Sequence, residues 1–90
     1  MIPLERFKKL KVGEKLLVSK NLINIPDACA MPSMVKKEGK IVRVVKEPYR
    51  SYLGEERWAV KVERDGFNWS RACFDLIIDD VSAINLEEFI

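Results

Sequence analysis

The chemistry open to this chain is limited first by a residue it lacks. Its 90 residues include no histidine, which removes the commonest general base, the usual activator of serine and cysteine nucleophiles and the commonest metal ligand. Cys29 and Cys73 are far apart in the chain and too few for the grouped thiolates that zinc requires. Both are expected to be small buried side chains kept reduced in a cytoplasm. A disulfide between them would need the long early loop to fold over the last helical turn. Asp79-Asp80 and Glu87-Glu88 are carboxylate pairs, but neighbouring side chains point different ways, so they suit solvated charge better than paired acid–base work. The glycines, Gly13, Gly39, Gly54 and Gly66, are each isolated at turn positions and build no phosphate loop. No catalytic residue, metal or cofactor is therefore expected.

Two constellations suit binding. Tyr49, Arg50 and Tyr52 fall between Pro48 and Gly54, in what reads as an exposed connecting loop. Aromatic rings beside an arginine suit a protein anchor or stacking on bases, while the plainer role for one tyrosine is to cover the end of the fold. Lys36, Lys37, Lys40, Arg43 and Lys46 form a basic stretch that suits phosphate contacts. Lysines on an exposed strand also serve solubility and discourage edge pairing. Net charge is only +2, but it is unevenly distributed. Residues 1–46 hold 11 Lys/Arg against 4 Asp/Glu, and residues 47–90 hold 5 against 10. Such asymmetry can mark a basic face for an anionic partner.

These residues must be positioned by a small number of short elements. At this length one domain over residues 1–90 is the sensible count. Pro3, with Leu4, Phe7 and Leu10 near helical spacing, predicts a short amphipathic helix over residues 3–11. Leu16 and Val18, sharing a face with Val12, predict a first strand. Residues 20–39 have no sustained period and read as a long loop packed back through Leu22, Ile25, Met31 and Met34, with Pro32 opening one helical turn. The β-branched run from Lys40 to Lys46 predicts a strand with Val42 and Val44 inward. Trp58, Val60 and Val62 alternate up to Asp65-Gly66, a strong hairpin signal of type I′. The return strand runs from Phe67 to Ser70, so that Trp58, Val60, Phe67 and Trp69 point into one core. Ser70 is placed to cap a helical turn over residues 71–74, and Leu76 to Ile78 form a last strand. In the tail, residues 79–90, Ser82 is a candidate N-cap, with Leu86, Phe89 and Ile90 as an apolar edge. The fold class expected is mainly β: a small, strongly bent five-stranded barrel with a short N-terminal helix and a one-turn helix before the last strand.

Val12-Gly13-Glu14-Lys15, Met34 through Gly39-Lys40, and Val60 through Asp65-Gly66-Phe67-Asn68-Trp69-Ser70 with Cys73-Phe74 together cover about residues 12–78. Over this span the chain resembles small SH3-like barrels found as single-domain proteins in Firmicutes and their bacteriophages, and more distantly the SH3-like repeats of mind bomb proteins. The resemblance implies an SH3-like fold, Trp69 as a core residue, a phage or prophage setting and no assigned activity.

The function expected is a non-enzymatic module that contacts a host or phage protein, with inhibition and scaffolding both open as the outcome of that contact. Its candidate contact residues are Tyr49, Arg50, Tyr52, Lys36, Lys37, Lys40 and Arg43. The competing expectation is a nucleic-acid-binding small barrel that uses the basic stretch with Tyr49 and Tyr52. Residues 1–20 place lysines and arginines among their apolar residues and do not resemble a signal peptide, and no segment approaches roughly 20 apolar residues, so a cytoplasmic location, in the bacterial host if phage-encoded, is expected, with no membrane partner.

Overall fold

Val42 and Val44 are buried while Ile41, Arg43 and Val45 are exposed, the alternation expected of a strand lying over a core. That strand organises the molecule. The computed structural model describes residues 2–28, 30–52 and 56–78. The elements are α1 (Leu4–Phe7), β1 (Lys15–Val18), α2 (Pro32–Val35), β2 (Ile41–Arg50), β3 (Trp58–Val62), β4 (Trp69–Ser70) and β5 (Phe74–Ile78), with 3-10 turns at Leu22–Asn24, Pro26–Ala28 and Arg71–Cys73. All five strands join one antiparallel sheet in the order β4-β3-β2-β1-β5. The fold is therefore mainly β. The ladder does not close on itself: β4 and β5 are its edges, joined in sequence by the 3-10 turn. β4 has only two residues and offers almost no rungs for closure.

The sheet bends because β2 serves two partners. Its first residues pair with β1 through Ile41↔Leu17, Val42↔Leu16 and Arg43↔Lys15. Its later residues pair with β3 through Val44↔Val62, Lys46↔Lys61, Tyr49↔Ala59 and Arg50↔Trp58. The register shifts between Val44 and Lys46 and again between Lys46 and Tyr49. Such bulges add twist and turn one strand from one half-sheet into the other. They also correct the expectation that Tyr49 and Arg50 lie in a loop. Pro48 falls inside the second interruption, where its missing N–H removes no rung, so the strand runs through it to Arg50.

Inside the bend, Val60 of β3 pairs with Trp69 of β4, and both are fully buried. Trp69 stacks on Phe74 at 5.7 Å between ring centroids, and Phe7 of α1 meets Phe74 at 6.4 Å. Leu16, Val18, Val42, Val44 and Val62 complete the sheet's contribution, with Trp58 and Phe67 half-buried against them. Helix α1 is one turn rather than the expected nine residues, because it needs only to bring Phe7 inward, and the following turn buries Leu10. Val12 precedes β1 and is 61% exposed, so it does not share the strand's inner face.

The long loop packs back as expected through Leu22 and Met34, with Ile25 half-buried against the core, while Met31 stays outside; Ala28, not singled out in the sequence, is buried as well. Glu38 accepts the Leu22 N–H at 2.7 Å, and Val18 brackets the loop by bonding Lys40 and Gly39 at 2.9 Å each. Gly39 has φ +73, a left-handed conformation that glycine adopts without a Cβ penalty.

The hairpin between β3 and β4 differs from the type I′ expectation. Its connection spans residues 63–68, and the positive φ belongs to Arg64 (70°), not to Gly66. The carboxylate of Asp65 sets this wider turn by accepting the Phe67 N–H at 3.1 Å, the local bond that aspartate favours in turns. The return strand shortens to Trp69–Ser70 as a result. Ser70 precedes the 3-10 turn but makes no side-chain cap, and its hydroxyl lies 3.6 Å from the Cys73 thiol. Cys73 is buried and its thiol reaches the Ala28 carbonyl at 3.5 Å. Cys29, Gly54 and the tail helix expected after Ser82 lie outside the described residues. Among the described residues no helix is long and apolar enough to cross a membrane.

Candidate partner-binding site

The end of the β2–β3 ladder holds the aromatic constellation, and its members play different parts. Tyr49 is half-buried opposite the fully buried Ala59. Its hydroxyl donates to Asn68 Oδ1, and the Lys46 ammonium sits 4.4 Å from its ring centroid. Lys61 reaches the same Asn68 oxygen at 3.2 Å and the Gly66 carbonyl at 2.8 Å. Burial pushes the Tyr49 phenol above its ordinary pKa. Tyr49 thus latches the β3–β4 connection to β2, and its hydroxyl is committed within the fold.

Arg50 and Tyr52 face outward. The Arg50 guanidinium lies 5.5 Å from the ring centroid of Trp58, its cross-strand partner, and the Lys8 ammonium lies 5.3 Å from the same ring. Both distances are within cation–π range. Tyr52, two residues past Arg50, is 100% exposed. The Ser51 N–H bonds the Arg57 carbonyl at 2.8 Å, which holds the two chain segments together at this end. Arg57 itself has φ 60. Next to it, Glu56 takes both Nε and Nη2 of Arg71, while Arg71 Nη1 donates to the Ile2 carbonyl at 2.7 Å. This fork ties the β3 entry, the 3-10 turn and the N-terminal segment together.

The hydrogen bond from Arg71 holds the Glu56 carboxyl below its ordinary value of 4.5, against a smaller opposing effect of burial. A folded-state pKa lowered in this way adds stability above the unfolded value and loses it as pH falls through the folded one. Urea midpoints for the wild type are therefore expected to drop on acidification below about pH 4.5, and Glu56→Gln to be the less stable protein at pH 7 but to show a shallower decline. Equal slopes for the two proteins would remove this role.

The basic stretch does not form one surface. Lys37 is only 22% exposed and donates to Asp65 Oδ2 at 2.6 Å and to the Glu63 carbonyl at 3.2 Å. Asp65 Oδ1 in turn accepts the indole N–H of Trp69 at 3.1 Å. Lys37 thus anchors α2 to the hairpin over the core tryptophan. Lys37 and Lys40 also line a shallow cleft of about 200 Å³ with Ile41, Val42, Glu63 and Arg64. Arg43 projects from the outer face of β2 opposite Lys15, and Lys36 is exposed outside the cleft lining. Trp58, Lys8 and Arg64 join the candidate surfaces without having been singled out for binding in the sequence. Trp58 reads there as core, and Lys8 belongs to another element altogether.

Ser19, buried after β1, donates its hydroxyl to Asp75 at 2.6 Å and ties β1 to β5 at their bulge. Among the described residues no group of three His, Cys, Asp or Glu side chains is placed to hold a metal ion. In comparisons with known proteins, no family model, no curated protein and no solved structure matches the chain.

Proposed function

We propose that this chain is a non-enzymatic binding module that contacts a protein partner through the turn end of the β2–β3 ladder, with Tyr52, Arg50 and Trp58 as anchors. The observation that carries this reading is the fully exposed Tyr52 ring beside an arginine already held over a tryptophan. Tyrosine, tryptophan and arginine are the residue types that dominate protein interfaces, since they offer large contact area at modest entropic cost. The finer reading is an SH3-like protein of phage or prophage type, acting in a bacterial cytoplasm on a host or phage protein and inhibiting it. It is supported by the resemblance over residues 12–78, by a second strand shared between two half-sheets and by the 3-10 turn before the last strand.

The test is affinity capture from a bacterial lysate at mild salt with the wild type, Tyr52→Ala and Arg50→Ala, each first shown to be folded by circular dichroism. A specific protein retained by the wild type and weakened about thirtyfold in either variant, the effect of a 2 kcal/mol anchor, is expected. Equal capture by all three proteins, or no specific capture, overturns the proposal.

A second reading, nucleic-acid binding, rests on the cleft that gathers Lys37, Lys40 and Arg64. Affinity for a duplex would then fall with salt at a log–log slope of about −0.9 per phosphate neutralised. Salt-independent binding, or none at low salt, removes it.

A further inference from the structure

The β2–β3 ladder gives its carboxylates to cations from other parts of the chain. Between Lys46 and Lys61 the described acids are Glu47 and Glu56. Glu47 meets Lys11 at 3.8 Å, and Glu56 is held by the fork of Arg71. The ladder's own cations, Lys46, Arg50, Arg57 and Lys61, take part in none of the described ion pairs. Lys46 and Lys61 are paired directly across the strands, a like-charge arrangement that destabilises a ladder unless something offsets it. Lys61 bonds the neutral oxygens of Gly66 and Asn68, and Lys46 rests on the Tyr49 ring.

At the turn end the same imbalance gathers around one ring. Arg50 and Lys8 come from separate elements and lie 5.5 and 5.3 Å from the centroid of Trp58, and both are exposed. A guanidinium held against an indole is weakly hydrated and has lost rotamer freedom, while its in-plane N–H donors still suit a carboxylate. Lys8 reaches Glu5 at 3.8 Å, but that carboxylate is 80% exposed and the pair is weak. Glu56 also feels the charge of Lys8, yet its oxygens are already taken by Arg71. Two positive charges thus share one ring with little to offset them.

Resting on the reading of Tyr52, Arg50 and Trp58 as a partner surface, we propose that the partner presents an acidic protein segment. Its aspartates and glutamates meet Arg50 and Lys8, and an aromatic or branched apolar side chain packs on Tyr52 and Trp58. A carboxylate entering here makes charge-assisted bonds with donors already in place and relieves the repulsion between neighbouring cations.

The test is selection of random twelve-residue peptides, displayed on phage, by the full chain. Tyr52→Ala, Lys8→Ser/Arg50→Ser and Lys8→Glu/Arg50→Glu serve as comparisons, each first shown to be folded by circular dichroism. Selected peptides are expected to be enriched in Asp and Glu beside an aromatic or branched residue and to need Tyr52. They should bind Lys8→Ser/Arg50→Ser about tenfold more weakly. Selection on Lys8→Glu/Arg50→Glu should turn to peptides rich in lysine and arginine. Tyr52-dependent peptides without acidic enrichment, or acidic peptides that bind the charge-reversed protein equally well, overturn the acidic partner and leave the binding surface standing. If no selected peptide depends on Tyr52, the surface itself falls and this inference with it. A mixed-sequence single-stranded oligonucleotide is the competitor: if it displaces the peptides at equal or lower concentration, the surface belongs to nucleic acid and the proposal is overturned.

Discussion

Trp69→Ala is expected to remove about 3–5 kcal/mol of stability, the usual loss for truncating a buried aromatic residue. For a domain of this size the whole folding free energy is commonly about 5–15 kcal/mol, so a substantial unfolded population is the expected result. The magnitude follows from what the ring touches. It is fully buried, stacks on Phe74, pairs across the ladder with Val60 and gives its indole N–H to Asp65. Alanine leaves a cavity at the inside of the bend, where β3, β4 and the 3-10 turn meet, and also leaves a carboxylate oxygen with one donor fewer. Trp69→Phe keeps the aromatic contact and loses the N–H, so its loss is expected to be clearly smaller. Urea unfolding followed by far-ultraviolet circular dichroism measures both. A change below about 1 kcal/mol for Trp69→Ala would place the ring outside the core and would refute the bent-sheet architecture with it.

Asp65→Ala is the second large effect, with about 2–4 kcal/mol expected. The carboxylate is 11% exposed and serves three donors: the Phe67 N–H, the Trp69 indole and the Lys37 ammonium. Removing it leaves a half-buried cation and a buried indole N–H without their acceptor, while the hairpin loses the bond that shapes it. The residual exposure of Lys37 keeps the figure below that of a fully buried pair. Lys37→Met removes the cation but keeps most of the packing, and a double-mutant cycle between the two positions isolates their coupling. We expect a coupling above 0.5 kcal/mol. Additive effects would mean that Lys37 is held by Glu63 or by solvent, and would return it to the surface available for an anionic ligand.

The fate of Lys37 shows why the candidate site was less legible than the fold. Alternation located β2 and β3 and put Val60 and Val62 inside, because burial of one sheet face imposes a period of two on the sequence, and the cost of burying Arg43 without a partner chose Val42 and Val44 over Ile41 and Val45. Pro32 marked α2 by the same local logic. Lys37 and Tyr49 could not be judged locally, since their partners, Asp65 and Asn68, are 28 and 19 residues away. Both looked like surface residues awaiting a ligand, and both are bound within the fold. Arg50 and Tyr52 remain outward-facing, but Pro48 made their segment look like a loop when it is strand as far as Arg50. The Asp-Gly step found the hairpin and missed its geometry, because the tertiary demand on Asp65 from Trp69 and Lys37 outweighs the intrinsic preference of the dipeptide.

Val44 stands where the two half-sheets meet. Its N–H and C=O bond Glu14 and Gly13, just ahead of β1, while Val62 of β3 lies directly across from it. A fluctuation that peels either half away must therefore break the ladder at a residue the other half also uses. Local fraying should stop before this point, and its amide should exchange with deuterated water only when the entire chain opens. The molecule is in this sense indivisible: a cut that releases one half is expected to leave two unfolded pieces rather than a surviving fragment.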